Sequence, residues 1–301
     1  MRIRIPGVAC LCLSACLLSL VPSGQGAMAK TVQAVASFTV LADVVKQIGG
    51  DHVTVESLVP TNGDPHEFEP SPDNARSLKA ASLVFISGEG LEGWFARLAK
   101  ASGYKGEPVI VSEGIKTLAM EEGDHNVTDP HVWNSVANVI VWTDNIEKAL
   151  AAADPEDAAA FHENASRYRQ QLQALDADVR AKIAQVPQEQ RKVLTSHEAF
   201  GYFARDYGVT FLAPTGFSTE TEASAATVAK LIDQIRKEKV KVYFLENSND
   251  PRLVRQIAKA TGAVPGGMLY VESLSPPDGP APTYLRMVRN NVDQIVGAIK
   301  R

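Results

Sequence analysis

Short runs rich in β-branched residues alternate with helical patterns along this chain, and this alternation limits the possible folds more than any other feature. Four runs lie in each half of the chain: 31–38, 53–60, 83–87 and 108–111, then 192–196, 209–213, 240–245 and 267–271. Strands that alternate with helices form mostly parallel sheets, because parallel neighbours need a crossover connection. The sequence therefore predicts an α/β fold with two Rossmann-like lobes, each built on a mostly parallel four-stranded sheet.

The longest helical pattern lies between the two halves, at 154–187. Asp154 suits the N-cap of this helix and Pro155 suits its first turn. Apolar residues recur at steps of three and four, as in an amphipathic helix: Phe161, Ala165, Tyr168, Leu172, Leu175, Val179, Ile183 and Val186. We predict a stiff connecting helix between an N-terminal lobe at 30–153 and a C-terminal lobe at 188–301.

The N-terminal segment, residues 1–29, has the features of an export signal. Arg2 and Arg4 precede an apolar run at 8–21, and Ala27-Met28-Ala29 offers a small-x-small cleavage site before Lys30. The apolar run is shorter than the roughly 20 residues that span a bilayer. We therefore expect a periplasmic protein whose signal peptide is removed.

The same segment has a second interpretation, because Leu13-Ser14-Ala15-Cys16 resembles a lipoprotein processing box that would leave Cys16 lipidated. The other cysteines, Cys10 and Cys12, also lie in this segment. Cleavage before Lys30 leaves no thiol, which excludes disulfides, a cysteine nucleophile and cysteine-ligated zinc. Any metal site must then use histidines and carboxylates.

The charge of the chain is acidic, with a formal net value of -5. No stripe of Lys and Arg interleaved with aromatic residues occurs in the sequence. These features argue against a nucleic-acid partner.

Three of the six histidines occur where an α/β fold binds its ligands. His66 lies in a Pro-bounded loop after the second predicted strand, and His197 directly follows the fifth. His131 precedes a helix predicted to begin near Asn134. The carboxyl ends of strands line the ligand crevice of open α/β sheets, so these side chains can converge. Neutral imidazole is a favoured ligand of zinc and other late divalent ions.

The fourth ligand must be a carboxylate, and two candidates stand at predicted strand ends. Glu246 follows the seventh strand and Glu272 the eighth, and spacing alone does not separate them. A histidine that binds a metal through one ring nitrogen normally donates the N–H of the other nitrogen to an acceptor. Four carboxylates next to the histidines can serve in this way: Asp64, Glu67, Asp129 and Glu198.

The remaining histidines fit a metal site less well. His162 falls on the polar flank of the long helix, where we expect it to face solvent, and His52 lies in a turn that enters a strand. His125 lies in the loop 121–126, close to His131. It is a candidate for transient recruitment of metal, although a solvated loop position is the simpler interpretation.

Five segments in this order resemble the zinc- and manganese-binding solute-binding proteins of bacterial ABC importers. They are Asp64–Pro70, Asp129–Trp133, Thr195–Phe200, Lys239–Asn247 and Leu269–Ser275. The resemblance covers essentially the whole mature chain. It implies two lobes bridged by a long helix, one buried metal ion between them, and an ABC permease with its ATPase as partners. We expect a monomer.

The resemblance also implies the ligand set His66, His131, His197 and a carboxylate at the position of Glu272. Relatives usually carry Asp at that position, so Glu246 stays open as the fourth ligand. Many zinc-uptake relatives carry a long His-rich loop where this chain has only His125. High-capacity metal scavenging is therefore not expected.

Three imidazoles and one carboxylate match the four donors of a closed zinc site, so we expect one Zn²⁺ per chain. Mn²⁺ prefers more oxygen ligands, and manganese-binding relatives commonly replace the third His with Glu. Manganese or iron remains the alternative, because zinc binds most such sites tightly whatever the biological cargo. A zinc hydrolase needs an open coordination position, and no His-Glu-x-x-His motif is present. We therefore do not expect an enzyme. An adhesin or metal buffer on the same scaffold is a further alternative.

Overall fold

Two four-stranded sheets form the framework of the protein in a computed structural model. The structure describes Met1 and residues 31–122, 125–220 and 223–301; at the described positions within 120–126 it describes the backbone alone. Apart from Met1, the predicted signal peptide lies outside the described residues, and so do its cleavage site and the lipoprotein box. Residues 31–301 form one compact unit.

The strands of the described residues are β1 (Val32–Ala36), β2 (Val53–Ser57), β3 (Leu83–Ile86), β4 (Val109–Ile110), β5 (Ala119–Glu122), β6 (His125–Thr128), β7 (Lys192–Leu194), β8 (Thr210–Leu212), β9 (Val242–Glu246) and β10 (Val264–Leu269). The first sheet has the order β2-β1-β3-β4 and the second β10-β9-β7-β8. Every pair within these two sheets is parallel, which confirms the predicted α/β class.

Most strands are a few residues shorter than the predicted runs, and three further differences concern β9, β10 and the segment 119–128. β9 includes Glu246, and β10 begins at Val264 instead of residue 267 because Pro265 and the glycines after it resemble a turn in sequence. β5 and β6 form an antiparallel hairpin that was predicted as a loop, since its segment is charged and contains Gly123. His125 therefore lies in a strand, while its side chain is outside the description.

The helices of the described residues are α1 (Thr39–Gly49), α2 (Pro72–Ala80), α3 (Phe95–Ser102), α4 (Val136–Ala153), α5 (Ala158–Ala184), α6 (Gly201–Tyr207), α7 (Ala225–Glu238), α8 (Arg252–Thr261) and α9 (Tyr284–Ile299). Side-chain oxygens of Ser71, Ser135, Ser224 and Thr283 accept backbone N–H bonds and cap α2, α4, α7 and α9. None of the helices in the described ranges has the length and apolar character needed to cross a membrane.

The long helix α5 is shorter than predicted because a turn separates it from α4. Asp154 ends α4, and Asp157, rather than Asp154, is the N-cap of α5. The Asp157 carboxylate lies 2.6 Å from His52 Nδ1 and does not cap the helix with its side chain. The predicted apolar stripe of α5 is buried, as expected.

The helix α5 packs against elements from both halves of the chain, α1 and α4 from the first and α6 and α9 from the second. A continuous hydrophobic core runs along this contact, and a smaller cluster lies in the second sheet region. The helix therefore bridges the two sheets. The division into lobes at 30–153 and 188–301 stays a prediction.

Candidate metal centre

Four side chains from separate loops meet between the two sheets. His66 lies in the loop after β2, and His131 precedes the short turn Val132–Asn134 that leads into α4. His197 lies three residues beyond β7, and Glu272 three residues beyond β10. All four side chains are buried. Parallel strands deliver their carboxyl ends to a shared edge, which is why residues so distant in sequence meet here.

The donor atoms of this cluster lie within 4.8 Å of one another and can hold a metal ion. Glu272 Oε1 lies 2.8 Å from His66 Nε2, 3.1 Å from His131 Nε2 and 3.3 Å from His197 Nε2. His131 Nε2 lies 3.2 and 3.3 Å from the Nε2 atoms of the other two rings. Ligands of a tetrahedral zinc ion, at about 2.0 Å from the metal, are about 3.3 Å apart. These five distances fit such an ion.

The second nitrogen of His197 faces Glu246. His197 Nδ1 donates to Glu246 Oε2 at 2.6 Å, and Asn249 Nδ2 donates to the same oxygen at 2.7 Å. Glu246 Oε1 accepts the backbone N–H of Ser196 at 2.7 Å. The structure therefore separates the two candidate carboxylates: Glu272 faces the Nε2 atoms, whereas Glu246 orients one ring from its other side.

The second nitrogen of His131 donates to Asp129 Oδ1 at 2.9 Å, as the neighbouring carboxylate suggested. The Asp129 backbone is fixed from α6, because Tyr202 OH donates to its carbonyl at 2.8 Å. Trp133 Nε1 donates to the carbonyl of Val271 at 2.7 Å, just before Glu272. The loop that carries His131 thus also positions the residue that precedes Glu272.

The loop of His66 is tied to the second sheet region through Asp64. Asp64 Oδ1 accepts the backbone N–H of His66 at 2.8 Å, and Asp64 Oδ2 accepts from Thr219 Oγ1 at 2.7 Å. Burial, followed by the charge of Glu272, raises the pKa of Asp64. Asp64 therefore links the β8–α7 connection to the backbone of His66.

The hydrogen bonds at Nδ1 of His131 and His197 determine whether Nε2 of each ring carries a lone pair or a proton. A neutral imidazole that donates from Nδ1 carries a lone pair at Nε2. In His131 and His197 these lone pairs converge with each other and with Glu272 Oε1. Three such acceptors repel at this distance unless a positive charge lies between them. The donor set is therefore suited to a cation.

The pKa shifts of His131, His197 and Glu272 also favour a positive charge within the cluster. Burial lowers the pKa of His197, but Glu246 and Glu272 outweigh that effect and raise it well above its ordinary value. Burial also opposes protonation of His131, whose pKa is nevertheless raised by hydrogen bonds to Asp129 and Glu272. Burial raises the pKa of Glu272, yet the histidines, His66 first, hold it well below its usual range. The site attracts positive charge strongly.

A cavity of about 430 Å³ opens beside the cluster and reaches His66. Its lining combines acidic and apolar side chains, Glu89, Leu91, Pro130, Phe217 and Glu220. On the inner side, Trp133 packs against the ring of His131 at 5.4 Å between centroids. Trp133 thus packs on the inner side of the cluster, and a cavity with acidic and apolar lining reaches it at His66.

Glu67, a candidate acceptor for a ligand histidine, lies outside the donor cluster and is exposed. His162, which was expected to face solvent, is exposed and pairs with Glu147 at 2.7 Å. Sequence reasoning missed Ser248 and Asn249, which contact Glu272 and Glu246 respectively. Their signal was the polar run that directly follows a buried strand.

Comparisons with known proteins agree with this geometry. Residues 34–298 match the family model ZnuA, described as zinc-uptake complex component A, periplasmic. The chain is 35% identical to the iron-binding protein YfeA of Yersinia pestis over 89% of this chain and 86% of that protein. It is 30% identical to the manganese ABC transporter substrate-binding lipoprotein PsaA of Streptococcus mitis, over 97% of each.

Among solved structures, the periplasmic zinc binding protein TroA from Treponema pallidum matches with a TM-score of 0.85 and 31% identity. The match covers 90% of this chain and all of that one. These findings confirm the resemblance and the two-lobed architecture that it implied. The chain therefore belongs to the ZnuA family, the metal-binding periplasmic substrate-binding proteins of ABC importers, which are transport components and not enzymes.

Proposed function

We propose that this chain captures one divalent cation with His66, His131, His197 and Glu272 and delivers it to an ABC permease and its ATPase. The observation that carries this proposal is the convergence of three Nε2 atoms and one carboxylate oxygen within 4.8 Å. The cluster is buried, so an ion held there is shielded from water and from competing ligands. We further propose that the chain acts as a monomer.

We propose zinc as the cargo. Three imidazole nitrogens at 2.8–3.3 Å from Glu272 Oε1 support a four-coordinate ion, and zinc is the metal that most often adopts this arrangement. The named metals of the relatives differ, being iron, manganese and zinc. Manganese or iron on the same ligands is therefore the second candidate. Mn²⁺ at this site would need further oxygen donors.

Metal content of the purified chain tests this function. We expect one zinc per chain that excess manganese does not displace. His197→Ala should weaken zinc binding by orders of magnitude, because it removes a buried donor. His162→Ala is the matched control, since His162 is exposed and pairs with Glu147. Unchanged zinc affinity in His197→Ala would contradict the ligand set, and preferential manganese binding would favour the second candidate.

We propose that the chain is exported, by cleavage before Lys30 or with a lipid on Cys16. The names of relatives that are called lipoproteins support the second route. The intact mass of the mature chain distinguishes the two, because lipidation adds acyl chains to Cys16. Genes for a permease and an ATPase beside this one would support transport over a metal-buffering or adhesin role.

A further inference from the structure

The two carboxylate oxygens of Glu272 have different surroundings. Oε1 lies 2.8–3.3 Å from three imidazole nitrogens. Oε2 accepts a hydrogen bond from Ser248 Oγ, at 3.3 Å. A carboxylate with one oxygen on the cation and the other held by a hydroxyl supplies one donor. The same group with both oxygens free can supply two.

Ser248 lies two residues beyond β9 and is not one of the four clustered donors. Its hydroxyl proton lies between Glu272 Oε2, at 3.3 Å, and Asn249 Oδ1, at 3.1 Å. A hydroxyl has one O–H to donate, and an ionised carboxylate is a stronger acceptor than an amide oxygen. The proton is therefore drawn towards Glu272.

The backbone around Ser248 is fixed on both sides, which gives its hydroxyl a defined position. Asn247 Nδ2 donates to the carbonyl of Ser273 at 3.1 Å, and the backbone N–H of Asn247 donates to Leu269 at 3.1 Å. Asn249 is held by its bond to Glu246. Asn247 thus bonds to the chain on both sides of Glu272. Asn249 bonds to Glu246, which is the acceptor of His197.

We propose that Ser248 determines metal selectivity, by holding Glu272 to a single donor oxygen and so limiting the site to four protein ligands. The inference rests on the proposed function and extends it to a residue outside the four proposed ligands. Four donors with three nitrogens favour Zn²⁺, whereas a fifth donor from Glu272 Oε2 would supply the additional oxygen that Mn²⁺ prefers. Ser248 is a positioning residue, since it acts through Glu272.

Removal of the hydroxyl tests this role. In Ser248→Ala, Glu272 Oε2 loses its hydrogen bond and can turn towards the cation. Ser248→Thr keeps a hydroxyl and should behave as the wild type does. Ser77→Ala is the matched control, because Ser77 Oγ also donates to a glutamate carboxylate, Glu56 Oε1 at 2.7 Å, on an exposed surface.

Two measurements are made on each full-length mature variant: the dissociation constants of Zn²⁺ and Mn²⁺ by competition, and the visible absorption of bound Co²⁺. We expect Ser248→Ala to lower the ratio of zinc to manganese affinity about tenfold, equivalent to about 1.4 kcal/mol. Its Co²⁺ absorption should weaken, as it does when a four-coordinate site becomes five-coordinate. Ser248→Thr and Ser77→Ala should keep the wild-type ratio and spectrum.

The outcomes separate this inference from the function on which it rests. A wild-type chain that binds no stoichiometric metal would overturn both. If the wild type binds zinc but Ser248→Ala keeps the wild-type ratio and Co²⁺ spectrum, only the role of Ser248 is overturned. Equal weakening of both metals in Ser248→Ala, with a four-coordinate spectrum, would also overturn it, because that result indicates a merely structural contact.

Discussion

Glu246→Gln keeps the size of a buried side chain but exchanges one carboxylate oxygen for an amide nitrogen. The two oxygens of Glu246 accept short hydrogen bonds from Ser196 N at 2.7 Å, His197 Nδ1 at 2.6 Å and Asn249 Nδ2 at 2.7 Å, and Oε1 also accepts a longer one from His197 N at 3.4 Å. Glutamine has one oxygen, so its amide nitrogen must face either the Ser196 N–H or the ring of His197. Either arrangement disturbs the presentation of His197.

The size of the effect follows from these two arrangements. An amide nitrogen that faces Ser196 leaves a buried backbone donor unpaired, at a cost of about 1–3 kcal/mol. An amide nitrogen that faces His197 favours the tautomer protonated at Nε2, which offers no lone pair to the cation. We expect zinc affinity to fall about 10–100-fold, as when the acceptor of a ligand histidine is removed. This range corresponds to about 1.4–2.7 kcal/mol.

Competition with a chromophoric zinc chelator measures this loss. Glu147→Gln is the matched control, because Glu147 also accepts from a histidine Nδ1, that of the exposed His162, at 2.7 Å. It should leave zinc affinity unchanged. Glu272→Gln should lose more affinity than Glu246→Gln, since it alters a donor. A greater loss in Glu246→Gln would identify Glu246 as the ligand, which would refute its role in orienting His197. Wild-type affinity in Glu246→Gln would refute that role as well.

Three further predictions concern the same site. Zinc at about 1,000 times its dissociation constant should add about 4.1 kcal/mol to the free energy of unfolding, and a melting temperature indifferent to zinc would mean that the site does not form. Protons compete with zinc at His131 and His197, whose pKa values are raised in the metal-free protein. Their protonated fraction falls as pH rises through those pKa values, so affinity should keep rising above about pH 6.5, where an ordinary histidine has lost its proton. A titration that is flat from about pH 5.5 to 8.5 would contradict this. Gly201→Ala should weaken zinc binding about 10–100-fold, because a Cβ at this position would clash with Asp129 Oδ2 and displace the acceptor of His131. Gly297→Ala, which meets open space in α9, should keep wild-type affinity, and equal affinities in the two variants would remove the role assigned to Gly201.

Local sequence patterns were enough to predict much of the fold. The alternation of strands and helices predicted two parallel sheets, because a strand and its crossover helix are each specified by nearby residues. The period of the apolar residues predicted which face of α5 is buried, from Phe161 to Ile183. The histidines were found in the same way: His66 and His197 follow strands, and the carboxyl ends of parallel strands form the ligand crevice.

Other features depended on contacts between distant residues. The sequence pattern placed the start of the long helix at Asp154, whereas residues 154–157 separate α4 from α5. Asp157 there bonds to His52, over a hundred residues earlier in the chain, a contact that local sequence does not reveal. The hairpin of β5 and β6 was missed because its polar sequence has no period that distinguishes a strand from a loop.

The positions of the two candidate carboxylates show most clearly what the tertiary structure alone decided. Glu246 and Glu272 both stand near strand ends, so sequence spacing treats them alike. β9 ends at Glu246, whose carboxylate meets Nδ1 of His197, while three residues beyond β10 bring Glu272 Oε1 to the Nε2 side. The sequence by itself determined the ligand types and their strand ends. Which carboxylate faces the three Nε2 atoms was decided by the packing of the two sheets, because side-chain direction at a strand end depends on residues that meet only in the folded chain.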